Sequence, residues 1–354
     1  MGSNPTSPTI AFALFACTGS QAPPGPLAHD ASPADAEVSS PPCAGPVRVQ
    51  RFDVAADAPV EILVGEASTL LITVRCAGGE LAVSQLRAPD GVDYVTPGWV
   101  EAGRSCPGCL ARTGVRHDRV SLLVPSAWRE ETPLDQPLPL GSGSWTLTVS
   151  RLSGACLPEV EVVERWGWPV APVLHVTPVV TSQADAHAAL AALSEAADLL
   201  ADGGLTVEAG EIRVAPELSE LPSVERAVGL ETGRTGAGLE VRFVPSLTDA
   251  LGASYAGASP TPAPLSGAAV YVSLAASDEP LARVVAHELC HALGLFHTTE
   301  PDQPSVHDPI DDTLLAAATN LMTPAARGTA LSPGQRAVLY GHPSLESRCP
   351  ESPD

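Results

Sequence analysis

The sequence contains no lysine, so its 19 basic residues are all arginines, and 41 acidic residues outnumber them. The formal net charge of −22 disfavours binding to nucleic acid or to an anionic lipid surface. This acidity is typical of an exported soluble protein, although it would also suit a basic substrate. No apolar run reaches the roughly 18 residues that a membrane-spanning helix needs.

The cysteines are few and widely spaced. Of the eight, seven follow Cys17, an odd number that predicts disulfides with one thiol left free, as in an exported protein. Two of them form the segment CPGC at residues 106–109. We expect a loop disulfide there, with a redox pair or half of a zinc site as the alternatives, because no second CxxC pair accompanies it.

The N-terminal segment resembles a bacterial lipoprotein signal, because a short apolar run ends in LFAC with Cys17 as the residue that would carry the lipid. No basic residue precedes the run, and Phe15 stands where a small residue is usual, so ordinary secretion and a wrongly assigned start are the alternatives. We expect a signal over residues 1–17 and a disordered tether over residues 18–42. The expected location is the outer membrane or the extracellular space.

The length of 354 residues and the 44% of apolar residues suit two ordinary domains with packed cores. Residues 43–165 contain short β-prone runs separated by Gly, Pro and Asp, which predicts an antiparallel β-sandwich. The segment WGWPVAP at residues 166–172 marks the predicted boundary. In residues 166–354 strands alternate with helices, which predicts a second domain.

One helix of this second part is predicted from Ser182, its expected N-cap, to a stop at Gly203. The spacing of its larger apolar residues predicts a buried face made of Leu190, Leu193, Ala197 and Leu200.

The segment HELCHALGLFH at residues 287–297 carries the clearest chemical pattern. His287 and His291 are four residues apart on a predicted helix, so both imidazoles project from one face and could share a metal ion. Gly294 would let the chain leave the helix and turn back, bringing His297 to the same ion. Three histidines leave a fourth zinc position for water, and Glu288 would then serve as the general base. There are two alternatives, and both fit this pattern less well. One is a core helix with scattered histidines, and the other is a structural zinc site, which usually relies on thiolates.

HELCHALGLFH resembles the HExxHxxGxxH signature of metzincin metallopeptidases, and Met322 in TNLMTP resembles the methionine of their Met-turn. The segments GLFHT and NLM are most similar to the pappalysin or cytophagalysin branch, with matrixin-like enzymes next. The resemblance covers about residues 172–345. It implies a twisted mixed sheet with an active-site helix and a Met-turn. Together with the N-terminal sandwich predicted from the strand pattern, the expected fold class is α+β.

The resemblance further implies a zinc endopeptidase with one catalytic ion, His287, His291 and His297 as ligands, and a protein or peptide substrate. A non-catalytic exported binding or adhesion protein on the same fold is the alternative, and residues 43–165 could be a binding module or a pro-domain. No tyrosine lies two residues after Met322, so a tyrosine ligand is not implied. The cysteine-switch pattern PRCGxPD is absent from the sequence, which leaves any latency mechanism open.

Two smaller expectations concern the second half. Cys290 and Cys349 are its only cysteines, so we expect a disulfide between them. The segment HDPIDDT, which contains Asp308, Asp311 and Asp312, could bind calcium or line the cleft, with a solvated loop as the alternative.

Overall fold

The computed structural model describes residues 47–102, 109–111, 118–128, 140–220, 238–248, 254–275, 279–300, 303–314 and 318–348. These residues form a mixed α/β structure made mostly of sheets, with few helices. The predicted signal, the tether and Cys17 lie outside the described residues, as do most of CPGC and Cys349. No helix in the described part of the chain is long and apolar enough to span a bilayer.

The described chain up to residue 165 forms two four-stranded antiparallel sheets. Its elements are β1 (Val47–Asp53), β2 (Pro59–Val64), β3 (Thr69–Arg75), β4 (Glu80–Arg87), β5 (Asp93–Val95), α1 (Trp99–Ala102), β6 (Arg119–Val124), β7 (Gly143–Ser153) and β8 (Glu159–Arg165). We call the sheet β1-β8-β3-β6 the inner sheet and the sheet β2-β7-β4-β5 the outer sheet. Residues of both sheets share one hydrophobic cluster. The disulfide Cys76–Cys156 lies in this region, and Cys109 is also disulfide-bonded.

The two sheets differ in how many faces they bury. In the outer-sheet strand β7, buried Trp145, Leu147 and Val149 alternate with more exposed residues, as expected for a sheet with one covered face. In the inner sheet every residue of β6 is buried. Leu123 of that strand belongs to a second hydrophobic cluster, which extends through the C-terminal half of the chain. The inner sheet therefore has two covered faces.

From residue 172 onward the described chain builds a seven-stranded mixed sheet with helices packed on it. The elements are β9 (Pro172–Val180), α2 (Ala186–Ala201), β10 (Thr206–Ala209), β11 (Arg213–Val214), β12 (Leu239–Val244), β13 (Leu247–Thr248), β14 (Ser254–Tyr255), β15 (Gly257–Ala258), β16 (Ala269–Ser273), α3 (Leu281–Ala292), β17 (Thr299–Glu300), β18 (Gln303–His307), α4 (Pro333–Tyr340) and β19 (Leu345–Ser347). Two 3-10 turns add Gln183–Asp185 and Pro216–Glu220.

The mixed sheet has the main order β10-β9-β12-β16-β15, with β11 and β19 also paired to β9. Its pairs are parallel except for β15 with β16 and β19 with β9, which are antiparallel. The remaining strands form two small antiparallel ladders, β13 with β14 and β17 with β18. The antiparallel strand β15 lies at one edge, next to the strand that leads into α3.

Helix α2 packs against α3, but through a different face from the predicted one. Leu190 is 41% exposed and Ala197 only partly buried, so their assignment to the buried face is wrong. The residues buried along α2 are Ala186, Ala189, Ala192, Leu193, Ala196 and Leu200. The small alanine side chains let the two helices approach closely, whereas the spacing of the leucines alone pointed to a neighbouring face.

The inner sheet contacts the C-terminal half through several polar links. Arg165 Nη1 donates to the carbonyl oxygens of His342 and Leu345, at 2.8 and 2.7 Å. Thr69 Oγ1 donates to the carbonyl oxygen of Gly341 at 2.8 Å. All the described residues belong to one compact unit, and the domain boundary at residues 166–172 stays a prediction.

Candidate metal centre

The histidine motif lies on α3 as the sequence predicts. His287, Glu288 and His291 are on this helix, whose residues from Val284 to Ala292 are all buried. The helix ends where the amide of Gly294 donates to the His291 carbonyl and the amide of Leu295 to the Cys290 carbonyl, which is a Schellman arrangement. Gly294 has a φ of 104°, so the prediction that it turns the chain out of the helix is confirmed.

Gly294 also lies where there is no space for a side chain. A Cβ atom added to it would lie 2.7 Å from Leu123 Cδ2 of the inner sheet, closer than real Cβ contacts. The turn that leads to the third histidine therefore packs directly against β6.

The three imidazoles converge. His297 Nε2 lies 3.2 Å from His287 Nε2 and 3.1 Å from His291 Nε2. Ideal tetrahedral ligation by three zinc-bound nitrogens separates the nitrogens by about 3.3–3.4 Å, given Zn–N distances of about 2.0–2.1 Å. Among the residues that the structure describes, no other group of three metal-binding side chains brings its ligand atoms within 4.8 Å of one another.

The protonation of these rings leaves the nitrogens suited to a cation. His287 Nδ1 donates to the Leu321 carbonyl oxygen at 2.7 Å, and His291 Nδ1 to the Leu295 carbonyl oxygen at 2.6 Å. Because a carbonyl oxygen only accepts, both Nε2 atoms carry a lone pair. A proton on His297 Nε2 would satisfy only one of them, whereas a cation would satisfy all three. The residues therefore fit a bound metal ion.

Burial keeps the two helical imidazoles neutral. It lowers the pKa of His287 to about 4, the nearby His297 lowers it further, and the hydrogen bond to Leu321 acts in the opposite direction. Burial also lowers the pKa of His291 well below its usual value, and the two neighbouring histidines add to this. Neutral imidazole is the form that binds a metal, so no proton must leave either ring near pH 7.

Glu288 is 8% exposed, and its carboxylate Oε2 accepts a hydrogen bond of 2.8 Å from Ser259 Oγ. Burial raises the pKa of Glu288 to about 7, and the hydrogen bond from Ser259 opposes the rise. The sequence did not indicate Ser259, which lies far from the motif along the chain and follows the edge strand β15.

The segment around Met322 joins the histidines to α4. The Leu321 carbonyl holds His287, and the Met322 carbonyl accepts from the amide of Thr298, directly after His297. The Met322 amide donates to Asn320 Oδ1 at 2.8 Å, and Asn320 Nδ2 donates to Gln335 Oε1 of α4 at 2.9 Å. Met322 itself is fully buried. The segment NLM was noted only for its resemblance, and the contacts that Asn320 and Leu321 make were missed, because they join residues far apart in the sequence.

The structure contradicts the predicted disulfide between Cys290 and Cys349. Cys290 is a free thiol with no exposed surface, and Cys349 lies outside the described residues. The cause is its place on α3: it packs into the cluster beneath the helix, and burial raises its thiol pKa.

The acidic segment after the third histidine makes contacts within the protein. Thr313 Oγ1 donates to Asp308 Oδ1. Asp312 accepts from Ser332 Oγ at 2.6 Å and from the Gly334 amide at 2.8 Å, at the start of α4. Calcium binding by this segment stays a prediction.

Comparisons with known proteins place few constraints on the chain. No family model and no curated protein matches it. Among solved structures, archaemetzincin from Methanopyrus kandleri is 15% identical, over 48% of this chain and 87% of that one, with a TM-score of 0.30. Protein YXIM from Bacillus subtilis is 10% identical, over 55% of this chain and 53% of that one, with a TM-score of 0.14. Such low TM-scores do not support an argument about function.

Proposed function

We propose that the protein is a zinc-dependent endopeptidase in which His287, His291 and His297 hold one zinc ion and Glu288 is the general base. The observation that carries the proposal is that the three Nε2 atoms converge beside the helix that bears the buried Glu288 carboxylate. We further infer that Met322 supports the site through the hydrogen bonds of its backbone.

In the proposed hydrolysis a bound metal ion and the residues of the chain supply different parts of the chemistry. When bound, a zinc ion supplies a Lewis acid that polarises the peptide carbonyl and lowers the pKa of water to about 7. Glu288 takes a proton from the attacking water and returns it to the amine that leaves. A carboxyl group whose pKa burial raises to about 7 can accept and return a proton near neutral pH.

The metal is tested by its stoichiometry. We expect about one zinc per chain in the purified protein, as for other three-histidine sites. His291→Ala should lose most of it, whereas the control His175→Ala, at a partly exposed histidine of β9, should keep it. Full zinc content in His291→Ala would rule out the assignment.

The base is tested by a variant that keeps the metal. Glu288→Ala should bind zinc normally and lose roughly two or more orders of magnitude of peptidase turnover, because the proton acceptor is gone. Glu195→Ala, at an exposed glutamate of α2, is the matched control and should be fully active. A peptide-library digest by the parent protein, with and without a chelator, first identifies a cleaved peptide. That peptide is then the substrate on which Glu288→Ala and Glu195→Ala are compared.

A non-catalytic binding protein is the other outcome of this experiment. It would keep one zinc per chain and cleave no peptide of the library, and Glu288→Ala would then change nothing. The histidines alone fit either function, and the buried carboxylate favours the catalytic one.

We also infer that the protein is exported, because the disulfide Cys76–Cys156 suits an oxidising compartment. Attachment of lipid at Cys17 is part of this inference. Metabolic labelling with a radioactive fatty acid should label the protein and not Cys17→Ala, and an unlabelled protein in the culture medium would indicate secretion without an anchor.

A further inference from the structure

The edge strand β15 and the residue that follows it lie against the carboxylate of Glu288. Ser259 Oγ donates to Glu288 Oε2 at 2.8 Å. Within the described residues this is the one hydrogen bond recorded for that carboxylate. Glu288 is on α3, whereas Ser259 directly follows β15 and reaches it only because β15 pairs with β16 beside the helix.

Gly257 makes room for the same side chain. A Cβ atom added there would lie 2.5 Å from Glu288 Cγ, 2.7 Å from Oε1 and 2.9 Å from Cδ. All three distances are shorter than real Cβ contacts. The backbone of Gly257 does not have a positive φ, so the close approach of Glu288, and not conformational freedom, is what requires glycine.

The residue between these two faces the other way. Ala258 is buried in a separate cluster with Tyr271 and Val244. Since successive side chains along an extended chain alternate between its two sides, Gly257 and Ser259 are expected to face Glu288 together.

We propose that Gly257 and Ser259 are positioning residues for Glu288: Gly257 leaves the space that the side chain occupies, and Ser259 fixes Oε2. The inference rests on the proposed function for its kinetic consequence. With Oε2 held by the hydroxyl, the other carboxylate oxygen is the one that exchanges the proton. Loss of the hydroxyl lets the carboxylate rotate away from the reacting water.

The kinetic experiment compares Ser259→Ala, Ser259→Thr and Ser254→Ala, all loaded with zinc. Ser259→Ala should keep one zinc and an unchanged KM and lose about ten-fold in kcat, the size expected for a hydrogen bond to a charged group. Ser259→Thr keeps a hydroxyl at a partly exposed position and should restore most of the turnover. Ser254→Ala, at an exposed serine of β14, should behave as the parent protein. Equal kcat in Ser259→Ala and the parent would overturn the role of Ser259.

Gly257→Ala tests the space. The added methyl group must displace Glu288, so we expect a larger loss of kcat than in Ser259→Ala, with zinc content retained. Full turnover in this variant would show that Glu288 does not need the position it has here.

A readout without turnover separates this inference from the proposed function. Crystal structures of the parent, Ser259→Ala and Gly257→Ala should show the Glu288 carboxylate beside Ser259 in the parent and moved in both variants. An unmoved carboxylate overturns the inference even if the protein is an active peptidase. A moved carboxylate supports it even if the parent binds no zinc and cleaves nothing, an outcome that would refute only the proposed function.

Discussion

The inner and outer sheets each have four antiparallel strands and share one hydrophobic cluster, yet they differ in what covers their second face. The outer sheet has alternating exposed residues there, whereas the inner sheet contributes Leu71, Leu123 and Val163 to the cluster that also contains residues of α3. The inner sheet is thus part of the support of the metal centre. This difference argues against a pro-domain that leaves on maturation, because its removal would expose an apolar face.

The largest expected effect comes from removing both sheets. Residues 166–354 produced alone should not unfold cooperatively and should bind little zinc, because the apolar surface beneath α3 would face water. Urea unfolding followed by circular dichroism, with the full chain as reference, checks this. A fragment that unfolds cooperatively and holds one zinc would make the sheets a detachable domain.

Two leucines, one in each sheet, test the same difference between the inner and outer sheets. Leu123→Ala, in the inner sheet, should lower the free energy of unfolding by about 2–5 kcal/mol, because the residue is fully buried against Gly294. Leu63→Ala, in the outer sheet, should change it by less than about 0.5 kcal/mol, since Leu63 is 64% exposed. Chemical denaturation of both variants gives the values, and similar losses would contradict the difference between the sheets.

A pH effect is expected where the inner sheet meets the end of α4. His342 is fully buried; its Nε2 donates to the Ala263 carbonyl, and its Nδ1 accepts from the Ser344 amide. Burial lowers its pKa to about 4, with a small further decrease from Arg165, whereas the hydrogen bond to Ala263 raises it. The neutral ring is therefore the form that the folded protein favours.

The sign follows from comparing the two states. The unfolded chain takes up the proton near pH 6.5 and the folded protein only near pH 4, so stability is complete above pH 6.5 and falls as the pH decreases to 4. The loss attributable to His342 is about 3 kcal/mol, from a shift of about 2.5 pKa units. Metal-free parent and His342→Gln, unfolded in urea between pH 7 and 4, should differ in slope. Parallel curves would show that His342 does not contribute.

The smallest effect concerns two arginines. Arg165→Met removes the donor shared by the carbonyls of His342 and Leu345 and should cost about 1–3 kcal/mol, because buried carbonyl groups lose their partner. Arg87→Met, in the outer sheet, breaks an exposed ion pair with Asp93 and should cost less. Thermal unfolding of the two variants measures both costs. A larger loss of stability in Arg87→Met than in Arg165→Met would contradict the expected difference between the two sheets.

The sequence determined the features that depend on local spacing. Two histidines four residues apart share a face on any α-helix, and Gly294 is a residue that can end a helix with a positive φ, so α3 and the three histidines could be predicted. The strand β9 was also predictable, because it is rich in valine and contains only two polar residues, His175 and Thr177.

Contacts between residues of different helices and strands depend on the tertiary structure. The alternative faces of α2 look alike in sequence, and close packing on α3 selected the one that buries alanines and exposes Leu190. The sequence alone left Cys290 as a candidate for a disulfide, whereas the packing of α3 buries its thiol in the hydrophobic cluster. Ser259 reaches Glu288 only through the pairing of β15 with β16, and the inner sheet acquired its second covered face from residues that follow it in the chain. Local periodicity fixes the direction of a side chain along its own helix or strand, whereas its partner depends on long-range packing that no short stretch of sequence encodes.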